Sequence, residues 1–66
     1  MGVFRKGQSV KLSRDGIRFL GHQARYNDDW RGVVTGFNKG DVLVRDVGLK
    51  KVKPYAVRFL EAAWRN

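Results

Sequence analysis

The sequence predicts an all-β fold: a small five-stranded barrel with one short helical turn after its first strand. Two observations carry that expectation. Apolar and polar residues alternate with period two in several short stretches, and glycines standing singly at turns bound those stretches. The 66 residues leave room for one domain, taken as 1–66. A chain this short removes only ~60% of its extended-chain surface on folding, so marginal stability is expected. It has no cysteine, so neither a disulfide nor a thiolate zinc site supports the core, and packing alone must hold it.

Each element follows from its local pattern. In "GQSVKLS" Val10 and Leu12 alternate with Ser9, Lys11 and Ser13, as in a half-buried first strand. "SRDGIRFLGHQAR" changes rhythm: Ser13 is placed to cap a helical turn, Ile17, Leu20 and Ala24 fall at helical spacing, and Gly21 can end it. Gly16 costs helix stability, which limits the expectation to one or two turns. "YNDDW" reads as a polar turn in which Asn27, Asp28 and Asp29 bond back to their own backbone.

"WRGVVTGF" then puts Trp30, Gly32, Val34 and Gly36 on one face and Arg31, Val33, Thr35 and Phe37 on the other. "NKG" turns the chain, with Gly40 as the left-handed residue, and "DVLVRD" returns with Val42 and Val44 inward. "LKKVK" is a fourth strand with Val52 inward and Lys51 and Lys53 outward, ended by Pro54. "PYAVRF" is a turn with 3₁₀ character, and "FLEAAW" a last strand whose Leu60 and Ala62 close the core. A barrel hides its sheet edges by curling, which suits so many short strands.

Fourteen Lys and Arg against six Asp and Glu give a formal charge of +8, which favours a polyanionic partner over a charge serving solubility alone. No apolar run approaches the ~20 residues needed to span a bilayer, so no membrane partner is expected. "MGVFRKGQSV" lacks the apolar core of a signal peptide, and the protein is read as cytoplasmic. Myristoylation at Gly2 wants Ser or Thr at position six, where Lys6 stands.

Catalytic chemistry, metal sites and cofactors are not expected. His22 is the one histidine and reads as a surface residue after the helical turn, because zinc wants several N or S ligands. Asp28 and Asp29 are ordinary turn composition. Ser9, Ser13 and Thr35 sit in strands or at a cap, outside any strained nucleophile context, and no phosphate-cradling glycine motif is present.

What the chain does offer is a set of cations with aromatic neighbours. Nucleic acid, DNA or RNA, requires charges that neutralise phosphates and, for single strands, flat side chains on which bases stack. The stretch "GLKKVKPYAVRF" holds four cations and no acid. Arg31, Lys39, Arg45, Lys50, Lys51, Lys53 and Arg58 are the candidate phosphate contacts, with Phe37 and Tyr55 as candidate stacking residues. Phe37 either faces out, as its parity with Arg31 suggests, or covers the open end of the barrel. Trp30 shares parity with Val34 and is expected in the core, while Tyr26 and Trp64 fit either setting. Lysines at 51 and 53 also suit a solvated edge strand. Two other partners stay open: an acidic surface of a host protein, met through aromatic or Arg anchors, and a second copy, met through an apolar face around Leu43 or Trp64.

"FRKGQSVKL", "RGVVTGF" and "DVLVR" resemble the KOW-type and broader SH3-like small barrels of ribosomal proteins and transcription elongation factors. Most of the chain resembles small uncharacterised phage and prophage proteins, through Gly32 to Val34, Val42 to Arg45, Gly48 to Lys50 and Tyr55 to Glu61. These resemblances imply an SH3-like barrel and a phage or mobile-element origin. "WRGVVTGF" and "AVRFLE" also look like the plasmid-encoded type II dihydrofolate reductases. Their Val-Gln-Ile-Tyr signature before a proline is replaced here by Lys50, Lys51, Val52 and Lys53, so the reductase chemistry lacks its carriers.

Overall fold

The computed structural model describes residues 4–48 and 50–63. Its elements are β1 (Ser9–Leu12), α1 (Arg14–Leu20), β2 (Gly32–Asn38), β3 (Asp41–Asp46), β4 (Val52–Ala56), a 3₁₀ turn (Val57–Phe59) and β5 (Leu60–Ala62). The all-β expectation holds: the five strands form one sheet in the order β4-β3-β2-β1-β5, every ladder antiparallel.

Alternation built the first three strands as read. Val10 and Leu12 of β1, Val34 of β2, and Val42 and Val44 of β3 all face the core. They meet Phe4, Tyr26, Trp30, Tyr55 and Leu60 there, with Ile17 and Leu20 packed against the cluster. Lys39 (φ 50) and Gly40 (φ 87) are both left-handed, so the β2–β3 turn is a two-residue hairpin with two positive φ values instead of one. A register shift between Val34 and Gly36 leaves Thr35 as the extra residue, and its hydroxyl donates to the Leu43 carbonyl at 3.3 Å.

The helix also forms where its caps predict. The Gly16 N–H donates to the Ser13 side chain at 3.2 Å, and the Gly21 N–H returns to the Ile17 carbonyl at 2.8 Å. Ala24 lies beyond its end. Gly16 has a reason that outweighs its poor propensity: a Cβ there would stand 2.3 Å from the Phe59 carbonyl oxygen. The helix therefore rests directly on the 3₁₀ turn. Ser13 fixes the contact, its N–H donating to the Phe59 carbonyl at 2.8 Å and its hydroxyl to the Arg58 carbonyl at 2.5 Å.

The second half of the chain departs from its expected parity. β4 does not stop before Pro54 but runs through it to Ala56; Val52 is 48% exposed, and Lys53 and Tyr55 take the inward positions. Two alternations compete in this stretch, one putting Val52 inside and the other Tyr55. The aromatic ring offers more apolar area and a hydroxyl that finds a buried partner, so its phase wins and every neighbour flips. Pro54 is tolerated because β4 is at the end of the sheet order, where one side needs no donor. In β5, Leu60 is buried as expected, whereas Ala62 is exposed although it pairs with Val10.

Candidate functional site

The nine residues singled out from the sequence do not form one face. Arg45 lies near the end of its ladders on the exposed side of β3, between Val33 of β2 and Val52 of β4. The β3–β4 connection folds back beside it: the Lys50 N–H donates to the Asp46 carbonyl at 2.7 Å, and the Asp46 N–H to the Lys51 carbonyl at 2.9 Å. Lys50 adopts φ 59 to make that turn. Arg31 approaches from the other side, since its carbonyl accepts the Val47 N–H at 3.2 Å. Its guanidinium donates to the Asp28 and Trp30 carbonyls, each at 2.8 Å. Arg31, Arg45, Lys50 and Lys51 thus gather at one end of the β2–β3–β4 sheet, all exposed. Among the described residues none of the four is in an ion pair, in contrast to Lys11, which pairs with Glu61 at 3.4 Å.

The other five lie elsewhere. Phe37 and Lys39 occupy the opposite end of the hairpin, Phe37 opposite Val42 about 10 Å along the strand from Arg45 and Lys39 in the turn beyond it. Phe37 is 49% exposed, yet the Thr35 bulge places it opposite the core residue Val42, so its parity with Arg31 is lost. Lys53 pairs with Val44 on the core side and is half-buried. Arg58 belongs to the 3₁₀ turn, beside α1.

Tyr55 is corrected outright as a stacking residue. It is 6% exposed, with its ring 5.4 Å from Trp30 and 6.2 Å from Tyr26. Its hydroxyl lies 3.0 Å from the Tyr26 hydroxyl, which also accepts from the Arg25 guanidinium at 2.7 Å. Burial drives the Tyr55 phenol well above its ordinary value, and the bond to Tyr26 adds to the shift. Burial pushes Tyr26 up as well, but the bonds from Tyr55 and Arg25, with the charges of Arg25 and Lys53, outweigh it and bring Tyr26 below its ordinary value. The same bond to Tyr26 raises Arg25.

Beside this core end, an open cleft of about 560 Å³ is lined by Arg25, Trp30, Arg31, Asp46 and Val47 among others. Trp30 is core as expected, and its indole N–H donates to the buried carboxylate of Asp46 at 2.8 Å. Asp46 shares the parity of Val42 and Val44, but the sequence reading did not single it out. His22 is exposed after the helix, and the Asp29 N–H donates to the Asn27 side chain at 2.8 Å in the expected polar turn. Among the described residues no group of three or more His, Cys, Asp or Glu is placed to hold a metal ion, and no helix is long and apolar enough to cross a membrane. Trp64 falls outside the described residues, and Leu43 is half-buried.

The sequence reading missed a second cation–aromatic cluster. Phe19 of α1 is 52% exposed and stacks on Phe59 with ring centroids 5.3 Å apart and planes at 30°. The Arg58 guanidinium lies 5.8 Å from the Phe19 ring and 5.4 Å from the Phe59 ring. A signal was available: Phe19 stands two residues after Ile17 and so falls off the Ile17–Leu20 apolar stripe. Comparison of the chain with protein-family models, with curated proteins and with solved structures gives no match.

Proposed function

We propose that this protein is a small SH3-like nucleic-acid-binding module that meets phosphates through Arg45, Lys50 and Lys51, with Arg31 beside them. One observation carries the reading: on a chain of charge +8, four exposed cations converge on one end of a rigid sheet with no acid paired to them among the described residues. Cations left unneutralised by the fold are available to displace counterions from a phosphate backbone. The test is an anisotropy titration with short duplex DNA, single-stranded DNA and RNA at about 50 and 200 mM salt. Binding that weakens steeply with salt is the expected result. In Arg45→Ala/Lys51→Ala the slope against salt should become shallower by about two contacts, at roughly 0.9 per phosphate on duplex DNA. An unchanged slope would remove this face from the reading.

A second reading rests on what surrounds Arg45. Val52, 48% exposed, and Val33 flank it, and Pro54 pairs with Leu43 in the next row. An arginine among apolar residues suits an acidic protein surface with apolar neighbours. Val52→Ser separates the two: it should leave nucleic-acid binding unchanged and weaken only a protein complex.

A further inference from the structure

The basic end of the sheet has no exposed aromatic among its four cations, since Tyr55 is buried and Phe37 lies at the far end of the hairpin. A further exposed aromatic surface, among the described residues, is on α1 and the 3₁₀ turn. Phe19 keeps half its surface in water while its inner face is backed by Phe59. Arg58 lies beside the stacked pair, 5.8 Å from one ring and 5.4 Å from the other, and Ser13 bolts the helix cap to the turn that carries Arg58 and Phe59.

We infer that Phe19, backed by Phe59 and flanked by Arg58, is a platform on which a base of single-stranded nucleic acid stacks. The inference rests on the nucleic-acid reading above and assigns it a class of substrate and a second contact surface. Three features favour that occupant. An exposed ring stacked on a second ring, with planes 30° apart, turns its other face away from that partner, and an unpaired base can cover such a face. A paired base inside a duplex has no such face to offer. Arg58 has no acid partner among the described residues and stands where the phosphate next to a stacked base would need a cation. Arg14 and Arg18, one helical turn apart on α1, continue the positive charge along the helix, against Asp15 as its one acid. The platform is also rigid, because Gly16 lets the helix backbone touch the turn with no side chain between them.

The test compares the wild-type protein with Phe19→Ala and, as a shape control, Phe19→Tyr. The probes are a single-stranded oligonucleotide of about a dozen residues and a duplex of the same sequence, with poly-glutamate as a purely acidic polymer. Because Phe19 is half-exposed, the variants should fold, and thermal melting confirms it. Phe19→Ala should weaken single-strand binding about ten- to hundredfold, the worth of one stacked base, while duplex binding stays within twofold and Phe19→Tyr retains the wild-type affinity. Equal losses on both probes, or none on either, would overturn the platform. Poly-glutamate binding that depends equally on Phe19 would overturn it in favour of an acidic protein. Wild-type protein that binds only the duplex would sink the platform and leave the phosphate-binding face standing. Binding to no nucleic acid at all would sink both.

Discussion

The indole of Trp30 reaches across the core end of the sheet to donate a hydrogen bond to the carboxylate of Asp46, at 2.8 Å and with both residues buried. A carboxylate 3% exposed depends on its donors, so the pair fixes the segment entering β2 to the end of β3. Trp30→Phe keeps a ring in the core but removes the donor. We expect a loss of about 1.5–3 kcal/mol, the range for a bond to a charged group. For a domain of this size that lowers the melting temperature by roughly 4–8 °C per kcal/mol. A urea or thermal melt that shifts by less than the error of the measurement would show that Asp46 does not depend on the indole.

Gly16→Ala should also destabilise, against the helix propensity scale. Alanine gains about 0.8–1.0 kcal/mol over glycine in a helix interior. Here its Cβ would stand 2.3 Å from a backbone oxygen and 3.2 Å from the Leu12 side chain, and the oxygen belongs to the turn that Ser13 holds in place. Overpacking of this kind costs about 1–3 kcal/mol, so the net change is unfavourable. Melting of the variant above the wild-type temperature would mean that the 3₁₀ turn gives way easily.

The paired phenols of Tyr26 and Tyr55 should lose their protons in two separated steps. They are the only tyrosines of the chain, so phenolate absorbance reports on this pair alone. Tyr26 is lowered from 10.0, so its contribution to stability is present above pH 10 and is lost as pH falls through its folded value. Tyr55 is raised from 10.0, so its contribution is full below pH 10 and is lost as pH climbs toward its folded value. The pair therefore adds stability on the approach to pH 10 and gives it up beyond. Tyr55→Phe should abolish the late step and, because it removes the bond that helps lower Tyr26, move the early one upward; a single step near 10 in the wild type would contradict the geometry.

Much of the fold was legible because its first half obeys one rule at a time. In β1, β3 and β2 up to Val34 a single alternation competes with nothing, and Ser13 and Gly21 bound the helix, one through its hydroxyl and the other through its backbone N–H. β4 was misread because Val52 and Tyr55 sit in opposite phases, and periodicity alone cannot weigh a valine against a tyrosine whose hydroxyl finds a buried partner. That one inversion also displaced the candidate site: it sent Lys53 to the core side and Tyr55 into the core. The Thr35 bulge set Phe37 opposite Val42, although the ring stays 49% exposed. Arg31, Arg45, Lys50 and Lys51 stayed together because their places depend on the β2–β3 pairing and on the turn that leaves β3, and not on the parity of β4.

The position of β1 between β2 and β5 bears on how the molecule comes apart. The β2–β3 and β3–β4 ladders join neighbours in the chain, whereas the β1–β5 ladder sets Val10 against Ala62, near opposite ends of it. Loop-closure entropy makes local hairpins early and end-to-end pairing late, so the β2–β3–β4 meander is expected in the folding transition state and β5 outside it. Val44→Ala should then chiefly slow folding and Leu60→Ala chiefly speed unfolding, as two stopped-flow chevrons would show. On that account three residues, Leu60 to Ala62, act as the latch of the sheet: the lifetime of the native state is set where β1 and β5 pair, far in sequence from the hairpins that start its assembly.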